Sequence, residues 1–168
     1  MREVKAYLAS QFGFSQTGKY LLDNLIIPKI KETGIIVIDP FVECDKEFDF
    51  KYLESLEKYE DRKEYLRDFS KEITPINNRL MDESDCLVAI LDGGHSVDDG
   101  VASEIGYYAG IKKGPIFALR SDFRLGENIA VSINPQILGY IYQSGGSLDD
   151  CIYKFFTDIK NWHDSLVR

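Results

Sequence analysis

Apolar residues along this chain gather into short runs separated by longer segments of mixed polarity. Five runs have the length of β-strands, and most are too continuously apolar for strands with one face in water. In chain order they are VKAYLAS (4–10), IIVIDP (35–40), CLVAIL (86–91), GPIFAL (114–119) and ILGYIY (137–142). Such runs are typical of parallel strands covered on both faces.

The segments between the predicted strands show the three- and four-residue apolar spacing of helices. Pro28 must kink the first helix or mark a break in it, and that helix stops at Gly34. Ser147 and Asp150 form a capping-box signature for the last helix. The three predicted helices are 19–34, about 100–112 and 147–167.

Residues 43–73 are crowded with charges of both signs. Apolar side chains still recur there at three-, four- and seven-residue steps, which favours a solvated amphipathic helix or helix pair over a disordered insert. This segment is also a candidate lid over a ligand site.

Strands that alternate with helices predict a parallel sheet with right-handed crossovers. The predicted fold class is therefore α/β and doubly wound, flavodoxin- or Rossmann-like, with a five-stranded parallel sheet flanked by helices. The 168 residues are enough for one core without disulfide or metal staples, so we expect a single domain over residues 1–168.

Composition narrows the class of partner. The chain has 28 acidic and 20 basic residues, a net charge of −8, which argues against a nucleic-acid partner because such proteins usually present a basic face. Three widely spaced cysteines indicate a reduced, cytoplasmic protein without disulfides, and no apolar run reaches the roughly 18 residues of a membrane span. No residues show metal-ligand spacing, and no cofactor is expected.

The segment DGGHSVDDGVASEIGYYAG (92–110) follows the third predicted strand. Ligands of doubly wound sheets bind beyond the carboxyl ends of the strands, where residues 10–18, 92–100 and 120–128 should converge. Glu104 is expected in or near the first turn of the following helix, where the helix dipole favours an ionised carboxylate. One aspartate before the helix is also explained by ordinary N-capping.

The stretch VDDGVASEIGYYAG closely resembles the signature of the nucleoside 2-deoxyribosyltransferase family, D-x-G-x-x-x-E-[IL]-G-[YF]. The resemblance extends to YLAS after the first strand, to SDCLVAILDG before the motif and to RSDFR (120–124) after the fourth strand. It therefore covers nearly the whole chain.

The resemblance implies an enzyme that moves 2-deoxyribose between nucleobases, with a deoxynucleoside and a free nucleobase as partners. Glu104 would attack the anomeric carbon and hold the sugar as an ester, and two successive displacements would retain its configuration. Asp98 would hold the sugar's 5′-hydroxyl, and Gly100 would belong to the same substrate-binding turn. Tyr7 would orient the nucleophile, unless it is only a core aromatic on its strand.

Further substrate-binding residues are implied less directly. Asn77 occupies the position where the family usually has an acid that handles the departing base, and an amide can bind a base edge but cannot protonate it. Phe12 and Phe14 are candidates to stack on the base, or alternatively hydrophobic anchors of their loop. Asn134, with Asn128 in reserve, would complete a neighbouring subunit's site, which implies a homo-oligomer.

Other polar residues have simpler interpretations. Arg120, Asp122 and Arg124 suggest a phosphate site, but a surface ion-pair network explains them as well. His95 is in the motif loop, and a lone histidine in a loop is more often solvent-exposed than catalytic.

Two other functions remain open. A nucleoside 5′-monophosphate N-glycosidase of the same fold would cleave the same bond, although Asp98 should repel its substrate's phosphate. A nucleotide-sensing domain without turnover would have no need of Glu104, Asp98 and Tyr7 together.

Overall fold

A five-stranded parallel sheet forms the centre of the protein, whose computed structural model describes residues 3–94, 96–122 and 133–167. Every pair of neighbouring strands is parallel, in the order β2-β1-β3-β4-β5. This order confirms the predicted doubly wound α/β fold. The strands are β1 (Lys5–Ser10), β2 (Ile36–Ile38), β3 (Cys86–Ile90), β4 (Ile116–Leu119) and β5 (Ser147–Asp149).

Helices cover both faces of the sheet. They are α1 (Gln16–Leu21), α2 (Ile27–Lys31), α3 (Pro40–Glu47), α4 (Phe50–Ser55), α5 (Tyr59–Asp82), α6 (Asp99–Ile111), α7 (Pro135–Gln143) and α8 (Ile152–Leu166). Three of them, α3 to α5, span the charged segment, so the helical interpretation of residues 43–73 is confirmed. Within the described ranges, no helix is long and apolar enough to cross a membrane.

Alternate residues of β1 and β3 supply two separate cores. Tyr7 and Leu87 point to the face covered by α5, α6 and α7, whereas Leu8 and Val88 point to the face covered by α2 and α8. All five residues of β3 are buried. This two-sided burial is the physical reason for the continuous apolar runs, because neither face of a central strand meets water.

The break predicted at Pro28 is confirmed. A five-residue π turn, Leu22–Ile26, separates α1 from α2, and the Ile27 N–H donates to the carbonyl of Leu22, five residues earlier. Proline has no N–H to continue the regular ladder, so the irregular turn directly precedes it. Gly34 follows with a φ of 94°, a conformation that suits glycine at a helix end.

The prediction for the fifth strand was wrong. ILGYIY lies in α7, while β5 is the short segment Ser147–Asp149, paired in parallel with β4. The Asn134 side chain accepts a hydrogen bond from the Gln136 N–H and Pro135 follows it, a combination that starts a helix. Ser147 is therefore a strand residue, and α8 begins later, at Ile152, with Cys151 as its N-cap.

Candidate active site

A cavity of about 710 Å³ opens beyond the carboxyl ends of β1 and β3, where the connections leave the sheet in opposite directions. The end of β1, the first turns of α6 and the inner sides of α3 and α5 form its walls. Its lining residues are Ser10, Gly13, Phe14, Pro40, Phe41, Cys44, Asp45, Phe69, Ile73, Thr74, Asn77, Asn78, Met81, Asp98, Gly100, Val101, Ser103, Glu104 and Tyr107.

Glu104 lines this cavity and meets a tyrosine from β1. The Tyr7 hydroxyl donates a hydrogen bond to Oε1 of Glu104 at 2.5 Å. Tyr7 is completely buried in the sheet core. The structure therefore brings together the two residues that the sequence paired, and Tyr7 is also the core aromatic of the alternative interpretation.

Burial, rather than the helix dipole, dominates the charge state of Glu104. The carboxyl is in the second turn of α6, near the first turn within which the dipole mainly acts. Burial raises the pKa of Glu104 to about 7; the hydrogen bond from Tyr7 opposes this rise, and the nearby Asp98 adds to it. Burial also raises the pKa of Tyr7, so its hydroxyl keeps the proton that it donates.

Asp98 is the N-cap of α6 and also lines the cavity. Its Oδ1 accepts from the N–H groups of Gly100 at 2.9 Å and Val101 at 3.1 Å. A Cβ on Gly100 would come within 2.9 Å of this oxygen, so the glycine leaves room for the cap. The capping interpretation is thus correct, and it holds the carboxylate at the cavity wall.

The two phenylalanines after β1 have different environments. Phe14 lines the cavity, and its ring meets that of Phe41 edge to face with centroids 5.0 Å apart. Phe12 does not line the cavity; it packs against the core on the opposite face of the sheet, and a Cβ on Gly93 would come within 3.0 Å of its ring. For Phe12 the structure favours the loop anchor over the stacking role.

Asn134 does not line the cavity of its own chain. Its Oδ1 accepts from the Gln136 N–H at 2.8 Å, which places it at the start of α7. Asn128, Arg124 and His95 lie outside the described residues.

The surface interpretation of Arg120 was wrong. Arg120 is 3% exposed, and its Nη1 donates to the carbonyls of Leu91 at 2.5 Å and Gly94 at 3.3 Å. The buried carboxylate of Asp92 accepts from the N–H groups of Ser121 and Asp122. These contacts tie the segment after β3 to the segment after β4, so Arg120 braces the motif loop.

Helices α3 and α5 contribute cavity residues that the sequence did not identify. Cys44 is buried, and burial raises the pKa of its thiol to about 11, so the thiol stays protonated at neutral pH. Phe41, Phe69 and Thr74 line the same side. The apolar spacing of α5 could have indicated Phe69, but no local signal points to Cys44.

The described part of the cavity wall carries acids and no bases. Its ionisable carboxyls are Asp45, Asp98 and Glu104, and no lysine, arginine or histidine of the described ranges lines it. Nor do those ranges contain a group of three or more histidine, cysteine or acidic residues that could hold a metal ion. The cavity therefore suits a neutral ligand with hydroxyl groups better than an anion.

Comparison with protein families identifies the family of this chain. The model of the family described as nucleoside 2-deoxyribosyltransferase matches residues 6–150, most of the chain. The chain belongs to this nucleoside 2-deoxyribosyltransferase family. Membership makes it an enzyme of the pentosyltransferase class, and the cavity with Glu104 lies within the matched residues.

Solved structures share the fold at low sequence identity. A conserved protein from Enterococcus faecalis V583 is 24% identical, with a TM-score of 0.69 over 96% of this chain and 99% of that one. A 2-desoxiribosyltransferase from Leishmania mexicana is 16% identical, with a TM-score of 0.63 over 95% and 99%. A 2-deoxyribosyltransferase from Bacillus psychrosaccharolyticus is 18% identical, with a TM-score of 0.58 over 94% and 91%. No curated protein is a significant match to the sequence.

The raised pKa of Glu104 predicts a pH-dependent stability. The Glu104 carboxyl binds its proton more tightly in the folded protein than in the unfolded chain. The contribution of this proton to folding stability is therefore complete below about pH 4.5 and is lost as pH rises through about 7. Glu104→Gln cannot ionise and should gain up to about 3 kcal/mol over the wild type at pH 8.5, with little difference at pH 4.5. Urea unfolding at both pH values measures this.

Asp99→Asn is the matched control, because it removes an exposed carboxylate from the first turn of the same helix. Its stability difference should be small and similar at the two pH values. A Glu104→Gln difference that does not grow between pH 4.5 and 8.5 would contradict the buried, raised-pKa carboxyl.

Proposed function

We propose that this enzyme transfers 2-deoxyribose between nucleobases through a covalent ester on Glu104, with retention of configuration and some hydrolysis. The observation that supports this most directly is a partly buried carboxylate, hydrogen-bonded by Tyr7, in the wall of a large cavity in a member of this family. A reacting sugar carbon is cationic in the transition state, and a carboxylate in a poorly solvated cavity stabilises it strongly.

The proposed first step forms a bond from a Glu104 oxygen to C1′ as the bond from C1′ to the base nitrogen breaks. The bonding electron pair leaves with the base nitrogen, which takes up a proton. In the second step the nitrogen of another base attacks C1′, loses a proton and releases the Glu104 carboxylate. No proton is consumed overall, and water in place of the second base gives free deoxyribose.

The charge of the cavity supports a nucleoside substrate. Asp98 is proposed to accept a hydrogen bond from the 5′-hydroxyl, and the cavity wall of the described residues offers no cation to a phosphate. Phe14 and Phe41 give the base an aromatic surface in the cavity that Gly100 also lines. These features favour a deoxynucleoside over a nucleoside 5′-monophosphate.

Mass spectrometry of a quenched reaction tests the nucleophile. Wild-type enzyme mixed with a deoxynucleoside should carry a deoxyribosyl adduct on the peptide containing Glu104. Glu104→Ala should lose the adduct and at least about 1000-fold in activity, more than 4 kcal/mol of transition-state stabilisation. Asp99→Ala, which alters a neighbouring exposed carboxylate, should keep both. An adduct on another carboxylate, or activity of Glu104→Ala within about tenfold of wild type, would refute the assignment.

The charge of Asp98 predicts selectivity at the 5′ position. Two negative charges about 4 Å apart at an effective dielectric near 20 repel by about 4 kcal/mol, so kcat/KM should favour a deoxynucleoside over its 5′-monophosphate by about 100-fold or more. Asp98→Ser keeps an N-cap side chain but removes the charge, so it should narrow this ratio. Asp99→Ser is the control and should leave the ratio unchanged. A wild type that prefers the monophosphate would establish the N-glycosidase function instead.

Asn134 is proposed to complete the site of a neighbouring subunit, which requires a homo-oligomer. Asn134→Ser keeps the helix cap but removes the amide, so it separates capping from catalysis. Asn134→Ser and Glu104→Ala should each be nearly inactive, and an exchanged equal mixture of dimers should recover about a quarter of the wild-type sites. An active monomer in sedimentation, or a mixture as inactive as its components, would contradict the shared site.

A further inference from the structure

Two donors converge on one oxygen of Glu104. The hydroxyl of Tyr7 and the amide Nδ2 of Asn77 both donate to Oε1, at 2.5 Å and 3.3 Å. They come from different layers, since Tyr7 is on β1 and Asn77 is on α5. Anchoring from both sides fixes the plane of the carboxylate and directs Oε1 into the protein.

The orientation of the Asn77 amide is set by a buried thiol. The Sγ of Cys44, on α3, donates to Oδ1 of Asn77 at 3.9 Å, a weak but directional contact for sulfur. With the amide oxygen accepting from the thiol, the amide oxygen faces Cys44 and the amide nitrogen faces Glu104. The thiol thus donates to the amide, and the amide donates to Oε1 of the carboxylate.

Acidic or weakly acidic groups otherwise surround this carboxylate. Asp98 faces it from the start of α6, Tyr7 from β1 and Cys44 from α3, with Asp39 and Asp45 close to the thiol. In the described part of the wall no cation opposes them. The hydrogen bonds that the described residues donate to Glu104, from Tyr7 and Asn77, come from neutral groups.

We propose that Asn77, oriented by Cys44, is a positioning residue that holds Oε1 of Glu104, favours the ionised carboxylate and leaves Oε2 as the atom that attacks the sugar. This role rests on the proposed function, in which Glu104 is the nucleophile. It assigns the Asn77 amide to the nucleophile rather than to the edge of the base. The departing base then draws its proton from elsewhere, because an amide supplies none.

A titration that needs no catalysis tests the proposal. The free energy of unfolding is measured from pH 4 to 9 for each protein and for its E104Q derivative. The pH dependence of the difference between the two gives the midpoint at which Glu104 ionises in the folded state. Asn77→Leu removes the donor at similar volume and should raise this midpoint by about one pH unit. Asn78→Leu changes the next amide of the same cavity wall and should leave it in place.

Cys44 provides the second arm, because its variants change no atom that contacts Glu104 directly. Cys44→Ala frees the Asn77 amide to rotate and should raise the midpoint by about half a pH unit. Cys44→Ser keeps a donor for Oδ1 and should restore the wild-type midpoint. This rescue distinguishes orientation of the amide from a general loosening of the cavity.

The pH profile of base exchange should follow the titration. Below the midpoint, one pH unit lowers the ionised fraction about tenfold, so kcat/KM of Asn77→Leu should fall about tenfold at pH 5.5 relative to wild type and much less at pH 9. Equal midpoints for wild type and Asn77→Leu, or the same shift for Asn77→Leu and Asn78→Leu, would overturn the positioning role. Wild-type protein without base exchange would refute the proposed function and leave the titration interpretable.

Discussion

The hydrogen bond between Tyr7 and Glu104 joins β1, a largely buried strand beside the centre of the sheet, to the helix that carries the family motif. This bond requires β1 to lie beside β3. Helix α6 follows β3 and packs against both strands, which brings its second turn to Tyr7. The parallel order of the sheet is thus a precondition of the site. In turn, Tyr7 has a polar end that a core position tolerates only with a partner, and Glu104 supplies that partner.

The burial of Glu104 lowers the stability of the folded protein when the carboxyl is ionised, which is the form that the proposed reaction needs. Burial raises the pKa of Glu104 to about 7, so near neutral pH the folded protein carries a carboxyl divided between two charge states. A nearby cation would stabilise the ionised carboxylate more strongly. It would also weaken the attraction of the carboxylate for the cationic sugar of the proposed transition state. Neutral donors such as the Tyr7 hydroxyl stabilise the ionised form without neutralising its charge.

The sequence predicted features that are encoded locally and missed those that depend on packing. The strands β1 and β3 were recognisable because both faces are buried, whereas β5 is three residues at the edge of the sheet with no apolar run. Glu104 and Asp98 lie in one motif, so the family resemblance identified both of them from a single stretch of sequence. Cys44 and Phe41 reach the cavity only because α3 packs beside β1 and α5, a long-range contact that no local pattern records.

The composition of the cavity wall bears on the competition between a base and water in the proposed reaction. On the side of α3 and α5 the wall presents Phe41, Phe69, Ile73 and Met81, which offer water few hydrogen bonds. A flat aromatic base gains contact area there, while water gains nothing comparable. We therefore expect transfer to exceed hydrolysis in the proposed reaction when a second base is present, because this apolar wall favours contact with the base over contact with water.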